Sequence, residues 1–251
     1  LKLGGSYIRD LTIERGGEPT HACMPGCMIK CSNVYVDDKG EEMVSPLEYE
    51  SLGLLGSNCG LKDPDDVART NHQCNDLGID TIEVGAMLGV LMEAGEGEFG
   101  DADFMLAAMD DIRAGNERGR ILAQGAGLVG KHYDVARVPV IKNQGISAYD
   151  PRAIEVTGIS MMMTAQGADH TTGNIPGHKS ADMTTEELTE ASLDIQEDCA
   201  AADSLGLCLF GRSVTNVNQD LIVGALNDAH GTNFDASFMK DLGREALEME
   251  W

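Results

Sequence analysis

The run DPDDVARTNHQCNDLGIDTIEVGAMLGVLMEAG, residues 63–95, constrains the fold most, because it writes two helices back to back with their ends marked. Asp63 is an N-cap, and Pro64 follows at the first helical position, where its missing N–H costs nothing. Gly78 is the stop signal of this first helix. Asp80 with Glu83 forms a capping-box-like pair that opens the second. Apolar residues three and four apart predict further helices in ADFMLAAMDDIRAG, ERGRILAQGAGLVGKHY, TTEELTEASLDIQEDCAAADSLG, NQDLIVGALNDAHG and FDASFMKDLGREALEME. Strand signals are few, SNVYV and RVPVIK being the best. The fold class is therefore mainly α with glycine-rich connections, and there is no internal repeat. A boundary is expected where the helical pattern gives way to VARVPVIKNQGISAYDPR, dividing the chain into 1–150 and 151–251.

With 251 residues and 42% apolar content the chain can bury a sizeable core. Its 42 acidic against 18 basic residues give a net charge of -24. Such a charge repels phosphate backbones and anionic membrane surfaces, so neither nucleic acid nor membrane is an expected partner and small-molecule chemistry is favoured. No apolar run reaches membrane-spanning length and residues 1–20 lack a signal-peptide core, so a cytoplasmic location is expected. The start LKLGGSYIRD and the end GREALEMEW, where a helical pattern is still running, read as a piece of a longer protein.

Seven cysteines in such a chain point to metal or redox chemistry rather than a disulfide framework. In HACMPGCMIKCSNVY, Cys23, Cys27 and Cys31 recur at four-residue spacing around Pro25-Gly26. On one helix Cys23 and Cys31 would lie about 12 Å apart along the axis, and Pro25-Gly26 breaks such a helix anyway. A folded-over loop gathering three sulfurs is the better picture, with one ligand to come from elsewhere. Three idle cysteines and a structural zinc site are the alternatives; an iron–sulfur cluster suits a three-plus-one arrangement better.

Two short segments resemble each other. NDLGID, residues 75–80, and DSLGLC, residues 203–208, share a polar residue, a glycine three positions on, an aliphatic residue, and then Asp or Cys. Each lies where one helix ends and the next begins, an arrangement that can hold a polar heterocycle or a phosphate. Ordinary helix punctuation accounts for either segment taken alone.

The three-cysteine cluster, SPLEYESLGLLGSNCG, NDLGIDTIEVG, KNQGISAYDPRA, TAQGADHTTG and DSLGLC, in this order, resemble the aldehyde:ferredoxin oxidoreductase family of tungsten- and molybdenum-pterin enzymes. The resemblance runs nearly end to end and covers the helical second and third domains. The family's N-terminal β-rich domain, the other wall of its pterin site, is expected to be absent. What the resemblance implies is that Cys23, Cys27, Cys31 and Cys208 ligate a [4Fe-4S] cluster, although the family places two residues, not three, between its first two ligands. It implies that Asn75, Gly78, Ile79 and Asp80 embrace one pterin of a tungsten- or molybdenum-bis-pterin, and Asp203, Gly206 and Leu207 the other. Asn75 stands where the family has Asp; an amide still hydrogen-bonds but also donates and carries no charge.

Two catalytic positions follow from the same resemblance. In LEYESLG the matching carboxylate is Glu50, with Tyr49 beside it and Glu48 as the fallback; in QGADHTTG the imidazole is His170. A carboxylate and an imidazole can activate water, hold a carbonyl oxygen and take the released proton. The implied activity is oxidation of an aldehyde or related carbonyl substrate to a carboxylic acid, with electrons passing through the cluster to a ferredoxin-like acceptor; a homo-oligomer is allowed for. A related reductase of activated ring or acyl substrates, and an inactive cofactor-free helical fragment, are the alternatives. Met161 to Met163 are expected either to line an apolar pocket or to form a core run. His178 reads as a further pocket or loop residue, and His21, His72, His132 and His230 as structural.

Overall fold

A computed structural model describes residues 2–177 and 179–251, in which the chain is mainly helical and divides into two compact units, Leu1–Ala148 and Tyr149–Trp251. His178 lies outside the described residues. Among the described residues no helix is long and apolar enough to cross a membrane.

The first unit opens with α1 (Gly5–Glu14) and a three-stranded antiparallel sheet, β1 (Glu18–His21), β2 (Ser32–Val36) and β3 (Glu42–Val44), in that order. SNVYV forms β2 as expected. A short helix α2 (Tyr49–Ser51) runs into a π-helical turn, Leu52–Ser57, and then come α3 (Pro64–Leu77), α4 (Thr81–Glu93), α5 (Ala102–Ala114), α6 (Glu117–Leu122), α7 (Ala126–His132) and a small hairpin, β4 (Val140–Ile141) with β5 (Gln144–Gly145). RVPVIK thus yields only two strand residues.

Helix α4 is buried almost all round, through Val84, Met87, Leu88 and Leu91 among others, which places it at the centre of this core. Its Gly85 lets the π-helical turn approach closely: a Cβ there would lie 2.5 Å from the backbone of Leu54. The Asn58 side chain donates to the Gly85 carbonyl at 3.1 Å and ties the two elements. Around the sheet, Arg15 donates to Tyr35 Oη and to both carboxylate oxygens of Asp65, and Tyr35 Oη donates to Asp65 Oδ1 at 2.5 Å. Burial raises the Asp65 carboxyl, but these hydrogen bonds more than offset it and hold it below the usual range.

Two expectations are corrected here. The Asp80–Glu83 pair is only half a capping box. Asp80 accepts from the Glu83 N–H at 2.7 Å, whereas the Glu83 carboxylate reaches away to the N–H groups of Ala126 and Gly145, each at 2.6 Å. Two backbone donors, at the start of α7 and at β5, outbid the single N-cap amide. The segment ERGRILAQGAGLVGKHY forms two helices rather than one, because Gly125 turns the chain at φ +83° and opens α7 onto that carboxylate.

The second unit contains α8 (Glu155–Met163), α9 (Thr185–Ser204), a 3-10 turn at Leu209–Gly211, α10 (Arg212–Thr215), α11 (Gln219–His230) and α12 (Phe238–Glu250). A full capping box between Thr184 and Glu187 starts α9. Met161 is core, while Met162 and Met163 on α8 are more than half exposed, so the methionine run is neither one pocket wall nor one core strip. Helices α9 and α12 meet at Gly243, where a Cβ would stand 2.0 Å from the Glu197 carbonyl oxygen. The Glu197 carboxylate, 3% exposed, is held there by Arg244 at 3.0 Å and Lys240 at 3.5 Å. Gly243→Ala must push the helices apart, and an overpacked contact of this kind costs about 1–3 kcal/mol or more. A lowered urea midpoint with unchanged slope is the expected readout.

Candidate functional site

The two resembling segments have the same structure, one in each unit. Gly78 and Gly206 both adopt the left-handed conformation, at φ +69° and +66°. In the first, the Gly78 N–H donates to the Asn75 carbonyl at 3.2 Å and the Ile79 N–H to that of Cys74 at 3.0 Å. In the second, the Gly206 N–H donates to Asp203 at 3.0 Å and the Leu207 N–H to Ala202 at 2.8 Å. Asp80 and Cys208 end the turns with φ/ψ of -69°/131° and -71°/126°, each capping the helical turn that follows. Burial matches position by position: Leu77 and Ile79, like Leu205 and Leu207, pack on their unit's core, while Asn75, Gly78 and Asp80, like Asp203, Gly206 and Cys208, are exposed.

This arrangement follows from the sequence. A helix C-terminus needs a residue at positive φ to bring the next N–H groups back onto its last carbonyls, and glycine does so without a Cβ penalty. The aliphatic residues before and after that glycine then point inward and pin the turn, leaving its polar side chains facing out. A Cβ at Gly78 or Gly206 would meet nothing within 4 Å, so the space before each turn is open. Burial, and secondly the Asp169 carboxylate, push the Asp203 carboxyl up from its usual range. Asn75 provides an uncharged amide at the matching point of the first turn.

The three clustered cysteines all lie in one hairpin connection, residues 22–31, between β1 and β2, whose partners His21 and Ser32 close it. Gly26 at φ +81° and a bond from the Cys27 N–H to the Met24 carbonyl fold the loop over. Cys23 and Cys31 are exposed and Cys27 half-buried. Among the described residues no three Cys, His, Asp or Glu side chains stand together as a preformed metal site, so the loop is folded as expected while its sulfurs are not gathered. Spread around an exposed turn, thiols gain little from touching one another.

Exposure divides the seven cysteines. Cys59, Cys74 and Cys199 are buried, and burial pushes their thiols up to about 12, about 12 and about 11, with Asp80 adding to the effect on Cys74. A metal ligand must be a thiolate, so these three are poor donors. The accessible remainder is Cys23, Cys27 and Cys31 in the first unit and Cys208 in the second.

Tyr49 and Glu50 sit together at the start of α2 and grip one residue. The Tyr49 hydroxyl donates to the Ala148 carbonyl at 3.0 Å, and Glu50 Oε2 accepts from the Ala148 N–H at 2.8 Å. Glu48 is the exposed residue just before this helix and makes neither contact. In the second unit His170 is half-buried after α8, its ring stacked on that of Tyr149 with centroids 5.6 Å apart. Asp169 beside it carries the charge that Asp203 feels, which ties His170's neighbourhood to the second glycine turn.

The family model described as aldehyde ferredoxin oxidoreductase, domains 2 and 3, matches residues 2–250. The chain belongs to this family. Among similar proteins, the tungsten-containing aldehyde ferredoxin oxidoreductase of Thermococcus kodakarensis is 26% identical over 93% of this chain, and that of Pyrococcus furiosus 27% over 89%. The aliphatic sulfonate oxidoreductase, WOR-like subunit, of Pyrococcus furiosus is 27% identical over 77% of the chain. The chain spans 41%, 40% and 35% of the length of these three relatives.

The residues present fit the groups that an aldehyde ferredoxin oxidoreductase of the tungsten-containing kind implies. Two exposed turns of equal backbone each offer a polar side chain, and the accessible thiols have the chemistry of cluster ligands. Tyr149 and Asp169 carry no expectation from the sequence, although they lie inside the motifs KNQGISAYDPRA and TAQGADHTTG. A ring next to a boundary and an acid next to a histidine are the signals that could have found them.

Proposed function

We propose that this chain is the helical part of an oxidoreductase that converts aldehydes to carboxylic acids. The supporting observation is the pair of equal glycine turns, one per unit, each with inward aliphatic anchors and an outward polar face. In this reading Asn75, Gly78, Ile79 and Asp80 hold one pterin, and Asp203, Gly206 and Leu207 the other. Cys23, Cys27, Cys31 and Cys208 hold a [4Fe-4S] cluster. When bound, the tungsten- or molybdenum-bis-pterin supplies the two-electron sink and the cluster a one-electron path to a ferredoxin-like acceptor.

The overall reaction takes an aldehyde and water to a carboxylic acid, two protons and two electrons. His170 takes up a proton as the water-derived oxygen joins the carbonyl carbon. Glu50 offers a negative charge near the reacting carbonyl while it keeps the Ala148 N–H in place, and Tyr49 holds the Ala148 carbonyl. Asn75 offers an amide where Asp203 offers a carboxylate, so the two pterins are held by different donor sets.

The experiment is an anaerobic assay of the full-length protein with a low-potential dye as acceptor. Aldehyde-dependent dye reduction is expected. Dye reduction with aliphatic sulfonates and none with aldehydes would assign the chemistry to the other relative's substrate class instead.

A further inference from the structure

His170 is surrounded by side chains that the reading above leaves without a task. Asp169 Oδ1 lies 3.8 Å from His170 Nδ1, and the two side chains are only 15% and 20% exposed. The carboxylate is itself fixed: Oδ1 accepts from the Thr171 N–H at 2.8 Å, and the Thr171 hydroxyl lies 2.8 Å from both of its oxygens. On the face of the imidazole, the Tyr149 ring is stacked at an interplanar angle of 24°. One edge and one face of the ring are therefore set by neighbours in the same unit.

We propose that Asp169 and Tyr149 are the positioning residues of His170, the carboxylate drawing the ring proton to Nδ1 and the tyrosine fixing the ring plane, so that Nε2 is the nitrogen that takes up a proton. The inference rests on the reading of His170 as the acid–base group. At 3.8 Å the contact is longer than a hydrogen bond, so the pull is electrostatic. It acts where little water screens it, and it favours the tautomer whose N–H dipole points at the charge. Thr171 keeps Asp169 from turning away, much as groups behind a metal-bound or catalytic histidine fix its orientation.

The test combines a tautomer measurement with kinetics, both on the full-length protein. Nitrogen-15 spectra of histidine-labelled, cofactor-free protein, with the His170 signal identified by its loss in His170→Ala, are expected to show the Nδ1–H form. Asp169→Asn should shift that signal toward the other tautomer. In the loaded enzyme Asp169→Asn is expected to lower kcat about 10- to 100-fold at unchanged KM and iron content, as outer-shell changes commonly do. Tyr149→Leu should fall similarly, with Tyr149→Phe recovering most of the loss. In a His170→Ala background Asp169→Asn should cost nothing more. An Nε2–H signal in the parent protein, or losses that simply add in the double variant, would overturn the proposal. Normal turnover in His170→Ala would instead remove the acid–base reading, and the tautomer spectra would still decide the positioning.

Discussion

His170→Ala in the full-length enzyme is expected to lower aldehyde turnover about 100- to 10,000-fold, the usual worth of a general acid–base group, while iron and pterin contents stay near those of the parent. The separation of effects is what carries the weight. His170 is half-buried beside Tyr149 and Asp169 and is not among the cysteines or the turn residues, so its loss should leave the cofactor sites intact. Glu50→Gln is the companion variant. A glutamine amide oxygen can still accept from the Ala148 N–H, so the grip on that peptide survives and only the charge is lost. A fall in turnover then reports on the charge. Normal activity in both variants would place the chemistry elsewhere, and loss of pterin in either would assign that residue to building the site.

The second large effect is expected at the cluster. Cys208→Ser should take the iron content of anaerobically purified protein from about four per chain to well below that, because a serine oxygen is a poor substitute for a thiolate on iron. Cys199→Ala, in the same unit, and Cys59→Ala should keep it. The contrast rests on burial: Cys199 and Cys59 are enclosed by protein and their thiols are pushed up to about 11 and about 12, whereas Cys208 is exposed at the end of the second glycine turn. Equal loss of iron in all three variants would remove the ligand assignment.

The helices that could be read directly were those whose ends are written locally. Asp63-Pro64 and Gly78 bound α3 where a cap and a left-handed glycine should. The likeness of NDLGID and DSLGLC was also visible, because the glycine and its aliphatic neighbours are needed for the turn itself. What escaped were features made by residues far apart in the chain. Glu83 looks like the third residue of a capping box, yet its carboxylate is taken by amides 43 and 62 positions away, one of them at the start of the helix that follows Gly125. The Arg15–Tyr35–Asp65 network joins α1, β2 and α3 across similar gaps. The same holds for Tyr149 against His170, since no local pattern states which ring will lie on which.

The measurement closest to the central claim is the ratio of pterin to metal in full-length protein purified without oxygen. Two equal glycine turns, each with an open polar face, predict two pterins for every tungsten or molybdenum, with about four irons beside them. Asp203→Ala and Gly206→Ala should each lower pterin and metal together, the first because it removes the polar group and the second because alanine resists the left-handed conformation that the turn requires. One pterin per metal, or full metal and pterin in the Gly206→Ala protein, would contradict the account of the turns as paired cofactor grips.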